Sequence, residues 1–366
     1  MKQIIKRGSF LTLMFMLLGC LSLYAADNDL ITRQITIQLE KAGTLPDRIT
    51  DSEKYKITNL KIIGEINGTD LRMIREMAGS NYSDGKLSVL DLSEAKIVKG
   101  GDYYYIDYHT STDVIGPSAF EGCSGLTSLT LPAGITSIGH DAFRDCSGLT
   151  SLTLPAGITE IGEFAFDGCS GLTSLTLPAG ITSIGRYVFS DCSGLTSLNL
   201  PAGITSIGDN AFRGCSGLTS LTLPAGITEI GTCTFWNCSG LTSLTLPAGI
   251  TSISSYAFYG CSGLTSIYVY AEKVPEIGSN EFEGCDAEKC TVYVPMGTRD
   301  DYRLSEFGYF ENIVEFDVSG IDKTTISTDV EEVARYSVNG QRLTAPTKGL
   351  NIVKYSDGSV KKVAVQ

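Results

Sequence analysis

The sequence is poor in histidine, which is a common general base and the commonest metal ligand. Only two of its 366 residues are histidines, His109 and His140. A nucleophile, a base and an orienting group are hard to assemble from so few imidazoles, and the cysteines lack the CxxC spacing of a zinc site. The Asp-rich stretch 102–107 lacks the spaced loop and closing Glu of a calcium site. We therefore predict no catalytic residue, no bound metal and no cofactor.

An excess of positive charge is also missing. The net charge is −13, and nucleic-acid binding depends on neutralising phosphates, so we predict no nucleic-acid partner. The most basic segment is residues 334–366, where six basic side chains stand against Asp357 alone. This tail is either a detachable address or docking segment, or a solvated charge cluster.

Long apolar runs are absent except at the N-terminus. Basic side chains precede Phe10–Leu18 and small residues follow it, which is typical of a signal peptide over residues 1–25. The run is too short to span a bilayer. The alternative is a bacterial lipobox, Leu-Leu-Gly-Cys20, in which Cys20 carries a lipid anchor. Both alternatives export the protein, and contact with a membrane is expected only through that anchor.

What the chain has instead is a repeat of 23 residues, LTSLTLPAGITSIGxxAFxxCSG, which runs almost unchanged from Leu126 to Gly263. A fixed period of about 20–29 residues with an LxxLxL core indicates a leucine-rich-repeat solenoid. Such a rod buries its core by stacking successive coils. The predicted fold class is therefore an α/β-type repeat solenoid, mostly β and turn, wound as a right-handed coil.

Each unit predicts the path of its own coil. Alternation points Leu129 and Leu131 inward and Ser128 and Thr130 outward, and the following proline ends the strand. The remaining predicted core positions of this unit are Ile135, Ile138, Ala142, Phe143 and Cys146. Because these positions barely change between units, each is predicted to stack on its own type. The outward Ser/Thr pairs form a flat hydroxyl array, which is either a surface for ice or a repetitive polymer, or a solvated sheet face.

Eight cysteines share one position of the repeat: Cys123, Cys146, Cys169, Cys192, Cys215, Cys238, Cys261 and Cys285. Side chains on neighbouring coils point the same way about 4.8 Å apart, whereas a disulfide needs Cβ atoms about 3.8 Å apart and turned toward each other. We therefore predict free buried thiols that act as small apolar residues. The pair Cys285 and Cys290, near the end of the array, is the favoured position for a true disulfide.

These patterns divide the chain into four regions. They are a signal peptide (1–25), an N-terminal cap with irregular leucine-rich turns (27–115), the repeat array with its terminal cap (116–311), and a linker with a C-terminal β tail (312–366). In the N-terminal cap, Ile57-x-x-Leu60-x-Ile62 and Leu87-x-x-Leu90-x-Leu92 echo the repeat. A helix is predicted over Asp70–Ala78, with Thr69 or Asp70 as its N-cap.

The last two regions also contain patterns that predict a helix and strands. A helix-like segment, Thr298–Glu306, is predicted to cover the apolar end of the array. The tail is predicted to form strands, with turns between them. The predicted strands are Val333–Val338, Leu350–Tyr355 and Val360–Val365, and the predicted turns are Asn339-Gly340 and Asp357-Gly358.

Positions that vary between units carry the information about a ligand, because the constant positions only stack. Trp236, Tyr256 and Tyr259 fall on adjoining units and are predicted to form an aromatic patch, while Tyr187 and Phe164 occupy the same variable position as Tyr256. Exposed aromatic residues suit recognition of protein or sugar. The alternative is that these rings shield the convex edge of the coil. All five are candidate ligand-binding residues.

Residues 116–285, with the consensus LxxLxLPxxIxxIGxxAFxxCxG, resemble the BspA-like family of bacterial leucine-rich repeats, also called the Treponema pallidum type. The resemblance implies a cell-surface or secreted adhesin, outside the cell or on the outer cell surface of a bacterium. We therefore expect a non-enzymatic protein that binds a protein ligand on a host or bacterial surface. The alternatives are a glycan-binding accessory protein of a polysaccharide-uptake system, and an enzyme with catalytic residues in the N-terminal cap.

Overall fold

A computed structural model describes residues 30–80 and 83–317, and the backbone of strands at 332–337, 342–343, 349–355 and 360–365. The chain forms two units, which are divided after Phe316. The signal peptide, the lipobox with Cys20, and the tail turns Asn339-Gly340 and Asp357-Gly358 lie outside the described residues. Within the part described, no helix has both the length and the apolar character needed to cross a bilayer.

In the first unit, the LxL stretches of successive coils pair into one parallel sheet of twelve strands, the main sheet. Leu152 and Leu175 are buried while Ser151 and Ser174 are exposed, as the alternation predicts. Spatial order follows chain order, so the sheet gains one strand per coil. Its strands are Ile35–Leu39, Asn59–Ile66, Val89–Ile97, Ser128–Thr130, Ser151–Thr153, Ser174–Thr176, Ser197–Asn199, Ser220–Thr222, Ser243–Leu246, Ser266–Val269, Thr291–Pro295 and Asn312–Phe316.

A second, shorter ladder forms after the proline that ends each main-sheet strand. Pro132 has no N–H to donate, so the strand stops there, and parallel pairing resumes where Ile138 and its equivalents turn inward. The short strands are Val114–Ile115, Ser137–Ile138, Glu160–Ile161, Ser183–Ile184, Ser206–Ile207, Glu229–Ile230, Ser252–Ile253 and Glu276–Ile277. The repeat is thus a coil of two parallel β segments and turns, which confirms the predicted solenoid.

The core consists of columns of like residues. Neighbouring phenylalanine rings lie 5.3–5.9 Å apart between centroids and within 9° of parallel. The column contains Phe120, Phe143, Phe166, Phe189, Phe212, Phe235, Phe258 and Phe282, all of them buried. The predicted stacking of each residue on its own type is confirmed.

All eight ladder cysteines are free and buried, as predicted. The predicted disulfide between Cys285 and Cys290 is wrong, because both thiols are free. Cys285 keeps its place in the cysteine column, where its Sγ lies 3.5 Å from the carbonyl oxygen of Phe258. Cys290 instead immediately precedes the strand Thr291–Pro295 and is buried there. Cys290 therefore lies outside the cysteine column.

The N-terminal cap joins the main sheet through Asn59–Ile66 and Val89–Ile97, the two segments that echo the repeat. Helix α1, Gly68–Met77, lies between them in the chain, and its N-cap is Asn67 rather than the predicted Thr69 or Asp70. The Asn67 side chain accepts a hydrogen bond from the N–H of Thr69, and the Asp70 carboxylate accepts one from the N–H of Asn67. Together these bonds form a capping box.

The insertion that follows is an antiparallel hairpin of Gly100–Tyr105 and Tyr108–Thr110. Buried Arg75 of α1 ties it to the first regular coil. Its guanidinium lies 4.4 Å from the centroid of the Tyr105 ring and donates a hydrogen bond to the Ser118 carbonyl. A 3-10 helix, Leu45–Asp47, completes the cap, and the first strand, Ile35–Leu39, was not predicted.

At the other end, the predicted helix Thr298–Glu306 is shorter: helix α2 covers Arg299–Arg303, and a 3-10 helix covers Glu306–Tyr309. Phe307 and Phe310 close the phenylalanine column, with centroids 5.2 and 5.0 Å from Phe282. Strand Asn312–Phe316 pairs with Thr291–Pro295. Residues 312–316 therefore lie in the main sheet, although the sequence placed them in the linker.

The second unit contains an antiparallel sheet of four strands. Its spatial order is Arg342–Leu343, Glu332–Ser337, Gly349–Tyr355 and Val360–Val365. The three strands predicted from the alternating pattern are present, and the short strand Arg342–Leu343 was not predicted.

Candidate functional site

The variable positions follow the short strand of each coil and lie on both sides of the buried phenylalanine. We call this surface the variable face; it comprises residues 140, 141 and 144 of the first regular unit and their equivalents. Backbone hydrogen bonds run along it from coil to coil, for example from the N–H of Tyr187 to the carbonyl of Asp209 at 3.1 Å and from the N–H of Tyr256 to the carbonyl of Ser279 at 3.1 Å. Equivalent side chains are thereby held side by side.

The second variable residue has a left-handed backbone in each of the eight coils from Ser118 to Asn280. Its φ lies between 53° and 60° at Ser118, Asp141, Phe164, Tyr187, Asn210, Cys233, Tyr256 and Asn280. Asn and Asp tolerate this conformation, whereas bulky side chains in it are outliers, at a cost of roughly 1–2 kcal/mol. The aromatic residues at Phe164, Tyr187 and Tyr256 are therefore present despite the backbone preference of their position.

Trp236, Tyr256 and Tyr259 form one group of rings, which we call the aromatic cluster. The Trp236 ring lies 4.7 Å from that of Tyr259 and 5.5 Å from that of Tyr256, and the two tyrosines are 6.0 Å apart. All three side chains are half-buried. The contact follows from the repeat, since Trp236 and Tyr259 hold the same position in adjoining coils.

Phe164 and Tyr187 form a separate group, the aromatic pair, whose rings stack at 4.6 Å. Asn210 and Cys233 occupy the equivalent positions in the two coils between the pair and Tyr256. The five candidate residues therefore make two groups rather than one patch.

Charged side chains of the same chain lie next to the aromatic pair. The Cζ atom of Arg144 lies 5.6 Å from the centroid of Phe164, and that of Arg186 lies 6.0 Å from the centroid of Tyr187. Arg144 also contacts Asp141 at 3.3 Å and Asp167 at 3.4 Å. Burial raises the pKa of Asp167, against the opposing effect of Arg144.

The aromatic cluster borders an acidic cleft instead. The side-chain amide of Asn280 donates to the Tyr256 hydroxyl at 3.3 Å, and the N–H of Gly260 donates to the Glu283 carbonyl at 2.7 Å. The cleft has a volume of about 280 Å³ and is lined by Asn280, Glu281, Phe282, Glu283, Glu306 and Tyr309. Glu281 is 3% exposed, and its Oε1 has no hydrogen-bond partner. Burial raises the pKa of Glu281, and the neighbouring Glu306 adds to this effect.

A further group of rings on the outer face of the main sheet was missed by sequence reasoning. Tyr268 and Tyr293 stack at 4.5 Å, and Phe316 packs edge-on at 6.2 Å from Tyr268 and 5.1 Å from Tyr270. Aligning Tyr268 and Tyr293 with Thr130 and its equivalents would have revealed this group, because they take the outward position of their strands. The rings follow directly on the outward Ser/Thr pairs of the earlier strands.

Within residues 30–80 and 83–317, no three histidine, cysteine, aspartate or glutamate side chains are grouped so as to hold a metal ion. His140 lies on the variable face, where its Nδ1 is 2.9 Å from an Asp141 carboxylate oxygen. His109 lies in the insertion hairpin, with its ring 5.2 Å from Tyr103.

The sequence matches the BspA type leucine-rich repeat region family over residues 113–242 and 183–305, in six copies. Among solved structures, the chain is similar to a leucine-rich-repeat protein of T. pallidum, with 30% identity over 47% of this chain and 80% of that one and a TM-score of 0.43. It is also similar to a leucine-rich cell surface protein of Faecalibacterium prausnitzii (21% identity, 75% and 90% covered, TM-score 0.37). A leucine-rich-repeat protein of Bacteroides ovatus shows 22% identity, with 72% and 84% covered and a TM-score of 0.35. Comparison with curated proteins finds no match.

Proposed function

Because the chain belongs to the family of BspA type leucine-rich-repeat proteins, we propose that it is an exported, non-catalytic binding protein. In this proposal it acts outside the cell or on the outer surface of a bacterium, where it adheres to a protein of a host or of another bacterium. A stacked solenoid supports such a role, since its coils leave a long lateral surface free for recognition.

The observation that carries the proposal is the placement of aromatic residues on the variable face. Phe164, Tyr187 and Tyr256 occupy left-handed positions where Asn or Asp costs less, so backbone stability does not account for them. Rings that are half-exposed and adjoin one another provide the large, rigid contact area on which protein interfaces depend.

The test is adhesion of beads that carry the purified full chain to matrix proteins, mucin and neighbouring bacteria. We expect saturable binding to at least one of these, and a loss of binding when Trp236→Ala and Tyr259→Ala are combined. Ser197→Ala, an exposed change on the main sheet, is the control and should bind normally. Absence of binding to every member of the panel would refute the proposal.

The second candidate is glycan binding within a polysaccharide-uptake system, and the outer face of the main sheet favours it. The stacked rings of Tyr268 and Tyr293 lie beside the outward Ser and Thr hydroxyls of the main sheet. Such rings suit the apolar faces of sugars. A glycan array distinguishes the candidates: a signal that is lost on Tyr293→Ala but kept on Trp236→Ala would favour glycans as the ligand.

Export is part of the proposal and has its own test. Expression in a bacterial host with intact export, followed by mass spectrometry of the mature N-terminus, should show either cleavage near Ala25 or a lipid on Cys20. Retention of residues 1–25 on a cytoplasmic product would contradict export.

A further inference from the structure

The two groups of rings on the variable face differ in whether the chain supplies them with a cation. Both rings of the aromatic pair have an arginine of the same chain within about 6 Å, Arg144 for Phe164 and Arg186 for Tyr187. A cation at this distance is attracted to the negative face of the ring. In the aromatic pair, these contacts are therefore made within the molecule.

The aromatic cluster lacks such a cation in the part of the chain that the structure describes. No lysine or arginine there lies over Trp236, Tyr256 or Tyr259. The repeat explains the difference, because the positions of Arg144 and Arg186 hold other residues in these coils. The position of Arg144 is taken by Trp236 and Tyr259, and that of Arg186 is taken by Thr232 and Ser255. Tryptophan is the side chain that attracts cations most strongly.

Negative charge lies directly next to the cluster. Glu283 follows Trp236 and Tyr259 in the same column, one coil further on, and with Glu306 it lines the acidic cleft. None of the residues that line this cleft is basic. Glu281 adds a third carboxyl group to the lining, and its buried Oε1 has no hydrogen-bond partner. A cation bound here would therefore meet both rings and carboxylates.

We propose that the aromatic cluster and the acidic cleft together bind a lysine- or arginine-rich segment of the partner protein. This inference rests on the proposed protein-binding function and names the chemistry of the ligand. One basic side chain lies over Trp236, and another faces Glu283 and Glu306. Trp236 and Glu283 are two coils apart, about 10 Å at the sheet spacing, which is the span of about three residues of extended chain.

Charge also determines the side of Trp236 toward which the segment extends. Arg213 precedes Trp236 by one coil in the same column, so a basic segment is repelled on that side and runs from Trp236 toward Glu283. Residues 1–333 carry the total charge of −13 less the +5 of the tail, or −18. A field of this sign speeds the encounter with basic partners.

Trp236 is the only tryptophan of the chain, so its fluorescence reports directly on the proposed site. The probe is a synthetic peptide of alternating lysine and glycine, added to the full chain, with the same peptide in acetylated form as the control. We expect a saturable change in emission with the lysine peptide and none with the acetylated one. Equal responses to both peptides, or no response to either, would overturn the inference.

Variants separate the site from general attraction between opposite charges. With a fluorescein-labelled lysine peptide measured by anisotropy, we expect Trp236→Ala to weaken binding by about 3- to 30-fold and Glu283→Gln to weaken it as well. Tyr103→Ala and Glu163→Gln are the matched controls, since they remove an exposed ring in the insertion hairpin, outside the variable face, and an exposed carboxylate elsewhere on the variable face. If Glu163→Gln weakens binding as much as Glu283→Gln, the attraction is general and the inference is wrong. Thermal midpoints of all four variants establish that each is folded.

Failure of this inference is distinguishable from failure of the proposed function. If the chain adheres to a protein of the panel but does not bind the lysine peptide, and if Glu283→Gln leaves adhesion unchanged, the chain binds proteins by another chemistry. A chain that adheres to nothing in the panel refutes the proposed function itself.

Discussion

The buried thiols illustrate how a single residue type serves the repeat. From Cys146 to Cys261, each Sγ donates a hydrogen bond of 3.0–3.1 Å to the carbonyl of the phenylalanine in the preceding coil. The thiol is small and apolar enough for the core, and it also uses the second lone pair of that carbonyl. An alanine would lose this bond between coils, and a serine would bury a more polar group.

Because the thiols are buried, we expect the protein to become less stable at alkaline pH. Burial raises the pKa of Cys123, Cys169 and Cys215 to about 12, whereas an unfolded thiol has a pKa of about 8.5. Above that pH the unfolded chain loses protons that the folded chain keeps, so the free energy of unfolding falls as pH rises. We expect each such thiol to contribute a loss of up to about 1.4 kcal/mol per pH unit.

The measurement is the denaturant midpoint at pH 8 and pH 10 under reducing conditions. Because tyrosines and lysines also titrate there, Cys215→Ala provides the comparison: it should be less stable at pH 8 but lose less on going to pH 10. An equal loss in both proteins would mean that the thiols are accessible and ionise in the folded state.

At the scale of elements, the N-terminal cap depends on one buried carboxylate. Asp70 is fully buried, and its oxygens accept hydrogen bonds from the N–H groups of Gly43, Leu45 and Asn67 at 2.6, 2.8 and 2.9 Å. It therefore fixes the start of helix α1 and the loop that precedes the 3-10 helix. Hydrogen bonds to a charged group are the stronger kind.

We predict that Asp70→Asn lowers the free energy of unfolding by about 2–4 kcal/mol, because an amide places N–H donors against backbone donors. Asp102→Asn is the control, since it removes an exposed ion pair with Arg72 at 3.0 Å and should cost at most about 1 kcal/mol. Urea denaturation of both variants measures the difference. Similar losses in the two variants would show that Asp70 does not hold the cap.

The regular coils were predictable from sequence because their core residues repeat, so one unit determines the rest. The cap was less predictable, since its coils vary and its contacts are not local. Asn67 was missed as N-cap because the helical spacing begins only at Leu71, and Ile35–Leu39 was missed because it lacks the leucine pattern. The rings at Tyr268 and Tyr293 were missed because they replace threonine at a position taken to be uniform.

At the scale of the whole array, the repeat has a second period of two units. Positive φ recurs after the third variable residue, and the residue there alternates: Gly122, Asp145, Gly168, Asp191, Gly214, Asn237 and Gly260. A Cβ on Gly214 would lie 2.2 Å from Oδ1 of Asp191, and one on Gly168 would lie 2.4 Å from Oδ1 of Asp145. The acid or amide side chain thus occupies the space that glycine leaves in the next coil.

Because of this alternation, we predict that the loss of stability on deleting one unit depends on which residues the deletion brings together. Removing residues 172–194 places Gly168 before Gly214 and should leave a folded array with a similar thermal midpoint. Removing residues 195–217 places Asp191 before Asn237, where the Cβ meets the Asp191 carboxylate, and should cost about 1–3 kcal/mol more through overpacking.

Circular dichroism melting of the two deletions measures this difference, and Asn237→Gly should restore the midpoint of the second deletion. Equal midpoints for the two deletions, with no effect of Asn237→Gly, would contradict the two-unit period.

The core columns and the variable face both require that every 23-residue unit makes one coil, in register with the next. Pairs of spin labels test it, one at Ser128 and the other at Ser197, Ser220, Ser243 or Ser266, in a chain with Cys20 and Cys233 replaced by serine. Electron paramagnetic resonance should give separations that increase in this order, by about 4.8 Å for each coil. Separations that do not rise with coil number would contradict the stacked solenoid and the variable face built on it.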